Sequence, residues 1–323
     1  MAYPEIISGK YRFSVIVPLY NKEPYIEKAL GSVLLQTFKD YEIIVINDGS
    51  PDASLAVAQG VLEGVGNARI INQPNSGVST ARNNGIAAAQ GEYVCFLDAD
   101  DWWEPTFLEE MDGLIKEYPD AGLYCTNYYY VHNRRSVVKL DIPTGYFNYC
   151  KEYSRTLCMS ATSSSSCISK AILTEMGGFN PKLKLGEDFD LWIRIALKYG
   201  TAILNKPLVY FNNDVPVKLR ATHHLHKPEN HMLWNLGYLE EEEKKNPDYK
   251  QLIDNLRTYG LMPYFLSKEY HNAAQTELAK VDWNRQSPSI KKQYSKPLAF
   301  LKAKYGFWGF AVRVKRFLIQ FIR

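Results

Sequence analysis

Asp98-Ala99-Asp100 places two carboxylates two positions apart at the end of an apolar run, Tyr93-Val94-Cys95-Phe96-Leu97. The run reads as a buried strand, and paired carboxylates at its end are costly without a positive partner. A divalent cation bridging to a phosphate is the natural partner, since hard oxygen ligands suit Mg2+ or Mn2+. Open α/β sheets also bind ligands beyond the carboxyl ends of their strands. Aspartates gather at strand ends as turn formers too, so the spacing alone leaves both readings open. A second acidic pair, Glu187-Asp188, precedes the helical pattern Phe189-Asp190-Leu191-Trp192-Ile193-Arg194-Ile195. The helix dipole favours acids at such a place, which makes N-terminal capping the plain reading of the pair.

The elements that must position these groups alternate. Strand patterns at 13–18, 42–46, 68–72 and 92–97 enclose helical spacing at 24–36, 51–62 and 78–89. This βαβαβαβ order predicts a mostly parallel sheet with helices on both faces. The stretch 118–173 mixes strand and loop signals. Helices are expected at 170–176 and 188–199, and a last core strand at 208–212. From 228 to 278 the pattern is helical and polar, with Glu240-Glu241-Glu242-Glu243-Lys244-Lys245 read as a solvated helix face.

The 323 residues, 46% apolar and 23% charged, suit a globular chain of one large domain plus an appendage, or of two domains. Cys95, Cys125, Cys150, Cys158 and Cys167 show no C-x-x-C spacing, and the odd count points to reduced thiols and a cytosolic setting. Met1 to Lys10 lacks the apolar segment of a signal peptide, so none is expected. No apolar stretch reaches the roughly 18 residues of a membrane span. After Asp282 there is no acidic residue, while ten Lys and Arg follow.

Three blocks together resemble glycosyltransferase family 2, which has the GT-A fold. They are SVIVPLYNKEPYIEKALGSVLLQTFKDYEIIVINDGSPDAS, NSGVSTARNNGIAAAQGEYVCFLDADD and GGFNPKLKLGEDFDLWIRIALKYG, covering about residues 12 to 205. The resemblance implies an α/β GT-A domain over 1–215 that binds a nucleotide sugar, followed by a helical region over 216–323. It implies that Pro18 and Tyr20, at the end of the first strand, and Asp48, at the end of the second, frame the nucleotide. Asp48 would accept from the imide N–H of uracil, which favours UDP or dTDP sugars, or a guanine edge, over CMP sugars. The family more often has Asp-Asp where this chain has Asn47-Asp48, and a tight turn is the plainer reading of Asp48-Gly49. Arg82 resembles the family arginine that faces the nucleotide; otherwise it is a surface helix arginine.

The resemblance further makes Asp100 the direct metal ligand. Asp98 would hold the ribose or support the metal through water, and Asp101 is either an outer supporting carboxylate or simply exposed. Asp188 would be the base for the acceptor hydroxyl, with Glu187 as the alternative. Gly177-Gly178-Phe179-Asn180 would be a flexible turn beneath the acceptor, and Trp192 either stacks near the acceptor or fills the core. Arg220, His223, His224 and His226 form a basic cluster in which relatives place a group on the metal or pyrophosphate. The usual motif is not clean here; His223 or His224 would contact the phosphate or the metal, with His224 carried as the metal ligand and solvent-exposed histidine as the plainer reading, and the spacing is not that of a zinc site.

The expected reaction is inverting, metal-dependent transfer from a UDP-sugar to a hydroxyl of a glycan or lipid-linked oligosaccharide, with Mn2+ or Mg2+ as cofactor. Along 296–323 a helical wheel sets Phe307, Phe310, Val314, Phe317, Leu318 and Phe321 opposite Arg313, Arg316, Gln320 and Arg323. Such a helix suits peripheral contact with an anionic membrane, which points to the cytoplasmic face; docking on protein is the alternative. A second copy of the chain is one more candidate partner. Nucleic acid is not, because no recognised binding module accompanies the basic run. The rival functions are a nucleotidyltransferase that makes sugar nucleotides and a non-catalytic glycosyltransferase-like binding protein. Pro18-Leu19-Tyr20-Asn21 stands where the former carries a Gly-rich basic loop, and the intact acidic residues argue against the latter.

Overall fold

The computed structural model describes residues 9–132, 134–137, 143–156, 161–216 and 225–301. The expectations for Arg220, His223 and His224, and for the tail over 302–323, lie outside the described residues. The chain divides into two compact units, 1–149 with 159–220 and 150–158 with 221–323.

In the first unit β1 (Tyr11–Leu19), α1 (Glu23–Leu34), β2 (Tyr41–Asn47), α2 (Ser54–Leu62), β3 (Ala68–Asn72), α3 (Val78–Ala88) and β4 (Gly91–Phe96) follow the alternation read from the sequence. Phe13, Val15, Ile16, Val17 and Leu19 of β1 are all closed to solvent. They run nearly continuously rather than alternating because both faces of a parallel sheet are covered. On α1, Ile26, Ala29, Leu30 and Val33 recur at helical spacing and are buried, and Pro24 sits in the first turn, where its missing N–H costs nothing. Helix α3 lies close against β1: a Cβ on Gly85 would stand 2.4 Å from Ile16 Cγ2.

The second half of this unit adds β5 (Trp102–Trp103), α4 (Phe107–Glu117), β6 (Ala121–His132), β7 (Arg134–Val137), β8 (Gly145–Phe147), α5 (Tyr149–Thr156), β9 (Ser166–Ser169), α6 (Lys170–Met176), α7 (Glu187–Ala196) and β10 (Gly200–Asn212), with most of α5 assigned to the second unit. Strand order is β3-β2-β1-β4-β9-β6-β10-β5. The first four strands are parallel, as expected. Short β9 then inserts antiparallel to both β4 and β6, while β6 and β10 are parallel to each other. The α/β class with flanking helices therefore holds, with a mixed second half. It is β9 that brings the serine run before it under the end of β4.

The second unit is built on α8 (Glu240–Lys245), α9 (Pro247–Gly260), α10 (Met262–Leu266), α11 (His271–Leu278) and α12 (Pro288–Tyr294). Tyr249, Leu252, Ile253, Leu261, Met262 and Tyr264 fill its interior. The acidic run of α8 is solvated except at Glu243, which turns inward to grip buried Arg257 at 2.6 and 3.0 Å. Asp254, closed to water, accepts from Lys250, from Arg257 and from the backbone of Asp282. His231 is a buried core histidine: its Nδ1 accepts from Leu233 N, and burial, then His226, pushes its pKa down to about 4. Among the described residues no helix is long and apolar enough to cross a membrane.

Candidate active site

Half-buried Pro18 is the last residue but one of β1, which ends at buried Leu19 and is followed by exposed Tyr20. At the neighbouring end of β2, Asn47 donates to Asn72 Oδ1 at 2.9 Å and accepts from Ser50 N at 3.2 Å. An amide can do both, whereas an ionised aspartate could only accept. Asp48 is buried. Its Oδ1 accepts from Gln73 Nε2 at 2.8 Å and Ser76 N at 2.7 Å, and its Oδ2 from Gly77 N at 2.9 Å. Gly77 has φ +89°, a conformation side-chain-bearing residues rarely adopt, and it leads directly into α3. Asp48 thus ties the end of β2 to the loop that launches the Arg82 helix, with acceptor capacity left on Oδ2.

The turn after β4 is held from a distance. Asp98 N donates to Ser164 Oγ at 3.1 Å, and Ser164 Oγ donates to Asp101 Oδ2 at 2.6 Å. Asn212 N, at the end of β10, donates to Asp101 Oδ1 at 2.8 Å, and the Trp103 indole donates to Ser164 O at 2.7 Å. Asp101 is buried, not exposed. Burial, then the charges of Asp100 and Asp98, holds its carboxyl well above the ordinary range. Sequence reasoning passed over Ser164. The signal was the run Ser163 to Ser166 itself, small hydroxyls opened by a Thr162 capping box just ahead of β9.

Arg82 is the hub. Its Nη2 donates to Asp98 Oδ1 at 2.7 Å and its Nη1 to Glu187 Oε1 at 3.1 Å, while Nε has no hydrogen-bond partner. The guanidinium lies 5.1 Å from the ring centre of Phe179, and its side chain is 4% exposed. Burial works against its charge, and the carboxylates of Asp98 and Glu187 outweigh it, raising its pKa. The fork expected to face a nucleotide is thus engaged by two carboxylates. Lys22, at the entry to α1, makes the matching contact with Asp100, Nζ to Oδ2 at 2.5 Å. Asp100 is still raised above the ordinary range, by burial first, with Lys22 opposing and Asp98 adding to the shift.

Helix α7 starts with Glu187 and half-buried Asp188. Asp188 accepts from Phe189 N at 2.8 Å. Its pKa is pushed up to about 7 by burial and then by the Glu187 charge, against Arg82. The preceding turn is held by hydrogen bonds. Asn83 exchanges two 2.8 Å bonds with the Phe179 backbone, and Arg194, paired to buried Asp190, donates to Gly178 O at 2.7 Å. Trp192 is a core residue: it is fully buried, its ring packs on Phe179, and it offers no face to an acceptor.

Arg82 therefore brings Asp98, Glu187 and Asp188 into one electrostatic group, and Asp100 adjoins it through Asp98. Asp98 and Asp100 are hard oxygen donors, each paired with one side-chain cation, and Arg82 divides its charge between Asp98 and Glu187. That donor set suits a hard divalent cation. Among the described residues no three His, Cys, Asp or Glu gather to hold a metal ion, so two carboxylates would leave the other positions to phosphate oxygens and water. His226 belongs to the second unit, where its backbone N donates to Tyr264 Oη.

A model of the family described as Glycosyl transferase family 2 matches residues 14–176. Glycosyltransferase GlyA of Streptococcus pneumoniae is 43% identical over 118 residues, 36% of this chain and 17% of that protein. Uncharacterized glycosyltransferase EpsJ of Bacillus subtilis is 39% identical over 125 residues, 39% of this chain and 36% of that protein. The chain thus spans little more than a third, or less, of these relatives. Among solved structures, S. aureus TarS 1–349 in complex with UDP-GlcNAc superposes with a TM-score of 0.71 at 21% identity, covering 91% of this chain and 88% of that one. This likeness identifies the fold as that of TarS. The family match spans half of the sequence, over the elements and turns that carry Asp48, Arg82, Asp98 and Asp100, and the chain belongs to glycosyl transferase family 2.

Proposed function

We propose that this chain is a metal-dependent glycosyltransferase that moves a sugar from a UDP-sugar to a hydroxyl of a glycan or lipid-linked oligosaccharide, with inversion. The observation that carries the reading is the Arg82 bridge. It sets the strand-end carboxylates that suit a diphosphate's counter-ion beside a base pair, Glu187-Asp188, on another element. The acceptor oxygen attacks the anomeric carbon. The new C–O bond forms as the bond to the β-phosphate oxygen breaks, and its electron pair leaves with UDP. The hydroxyl proton passes to Asp188, which must be ionised to take it. Asp98 and Asp100 would hold Mn2+ or Mg2+, which supplies charge neutralisation for the departing diphosphate. The spare acceptor capacity of Asp48 suits the imide N–H of uracil; cytosine offers an acceptor there instead.

The UDP-GlcNAc complex of TarS supports a UDP donor through the shared fold. The mannosyltransferase from Pyrobaculum calidifontis in complex with GDP-Man and Mn2+, TM-score 0.55, supports a divalent metal in the same way. The basic and apolar pattern of 296–323 supports an acceptor at an anionic, cytoplasmic-face membrane. The test is UDP release from a panel of UDP-sugars with Mn2+, with and without EDTA. Chelator-sensitive hydrolysis of one donor is expected. The reading is overturned if no donor turns over, with or without glycan acceptors, and calorimetry finds no UDP binding.

A further inference from the structure

Two side-chain cations sit on the two carboxylates of the strand-end pair, and they differ in kind. Arg82 is locked between Asp98 and Glu187. Lys22 holds Asp100 through a single ammonium, Nζ to Oδ2 at 2.5 Å, with both side chains 19% exposed. The backbone of this lysine is fixed. Lys22 N donates to Ser54 Oγ at 2.8 Å, and Asn21 before it adopts φ +54°. The Lys22 carbonyl accepts from Tyr25 N at 2.9 Å and Ile26 N at 3.0 Å, opening α1. A surface lysine roams; this one is presented to Asp100 by its backbone. Its four-carbon side chain still lets the ammonium swing, which the forked guanidinium of Arg82 is not free to do.

We propose that Lys22 is the resident counter-ion of Asp100, occupying the cation position there until a divalent metal displaces it, and that the freed ammonium then moves onto the donor diphosphate. Lys22 is thus a positioning residue that weakens metal binding in the absence of nucleotide and couples it to nucleotide. A divalent ion entering alone must break the Lys22 ion pair in a partly desolvated setting. Entering with a diphosphate, it leaves the ammonium a new anion nearby. The inference rests on the metal reading of Asp100.

The test measures Mn2+ binding to the full chain by electron paramagnetic resonance, with and without UDP, in wild type, Lys22→Met, Lys22→Gln, Lys22→Arg and Asp100→Asn. Lys22→Met is expected to bind Mn2+ alone about tenfold more tightly, the scale of one charged hydrogen bond. UDP should then strengthen Mn2+ binding by a smaller factor than in wild type. Lys22→Arg keeps the positive charge on Asp100 and should bind Mn2+ alone no more tightly than wild type, and Asp100→Asn should lose the site. Lys22→Gln gives the same reading should the Met variant fail to fold. Asp100-dependent Mn2+ binding left unchanged or weakened in Lys22→Met and Lys22→Gln overturns the inference alone. Absence of Mn2+ binding in every variant overturns it together with the metal reading.

Discussion

Arg82 Nη2 donates to Asp98 Oδ1 at 2.7 Å from a guanidinium almost closed to water, so this pair is part of the protein's interior as well as of its site. Removing the cation strands Asp98 and Glu187 near one another. A fully buried broken pair costs about 3–5 kcal/mol. Asp98 keeps a third of its side chain exposed, and solvent screens part of that cost. Arg82→Leu should therefore destabilise by about 2–4 kcal/mol, read as a lower denaturant midpoint with an unchanged slope. Arg82→Lys should fall between, because one ammonium cannot reproduce the fork.

Asp188 carries a pH signature. Its pKa, pushed up to about 7 by burial and the neighbouring Glu187, means that the base form fills in only as pH rises through 7. Turnover of the wild type should climb about tenfold per pH unit below that point and level off above it. Asp188→Asn should lose about 10²–10⁴ in turnover, and the residual rate should lose the climb. Stability runs the opposite way. A carboxyl with a raised folded-state pKa stabilises fully below its unfolded value near 4, and this contribution is lost as pH rises through 7. Asp188→Asn should hence melt higher than wild type at pH 8, by about 2–4 °C for each kcal/mol relieved, and equal to it near pH 4.

Ser164→Ala probes the support under the acidic turn. It removes the donor to buried Asp101 and the acceptor for Asp98 N with one oxygen. The cost should be about 1–3 kcal/mol, the range for a buried polar group left unsatisfied. Mn2+ affinity should weaken as well, because the same bonds fix the backbone between Asp98 and Asp101. Unchanged chemical denaturation would refute the support role.

Gly85→Ala tests how closely α3 meets the sheet. The added methyl would stand 2.4 Å from Ile16 Cγ2, well inside contact distance. A loss of about 1–3 kcal/mol is expected from overpacking. Combining it with Ile16→Ala should cost less than the sum of the two single changes, since the second makes room for the first. Strict additivity in that cycle would show that the two do not meet.

The sequence by itself determined the alternation of β1 to β4 with α1 to α3. Residues such as Ile26, Leu30 and Val33 declare a buried face by spacing alone, and spacing is local. It also drew attention to the acids Asp98, Asp100, Glu187 and Asp188, because acids at a strand end and a helix start are local signals too, while Asp48 was singled out through the family resemblance. What each of these touches was a tertiary decision. Arg82 reaches Glu187 across 105 residues, and Ser164 reaches Asp101 across 63. Periodicity reports that a side chain faces inward but not what awaits it there. So the Trp192 ring, equally at home in a core or beside a ligand by its sequence, went to the core against Phe179. The antiparallel insertion of β9 was likewise invisible, since a four-residue strand carries too little pattern to declare its direction. It is the packing of distant elements that turned a helix arginine into the counter-ion of two acids, and one serine of a run, Ser164, into the support of the turn after β4.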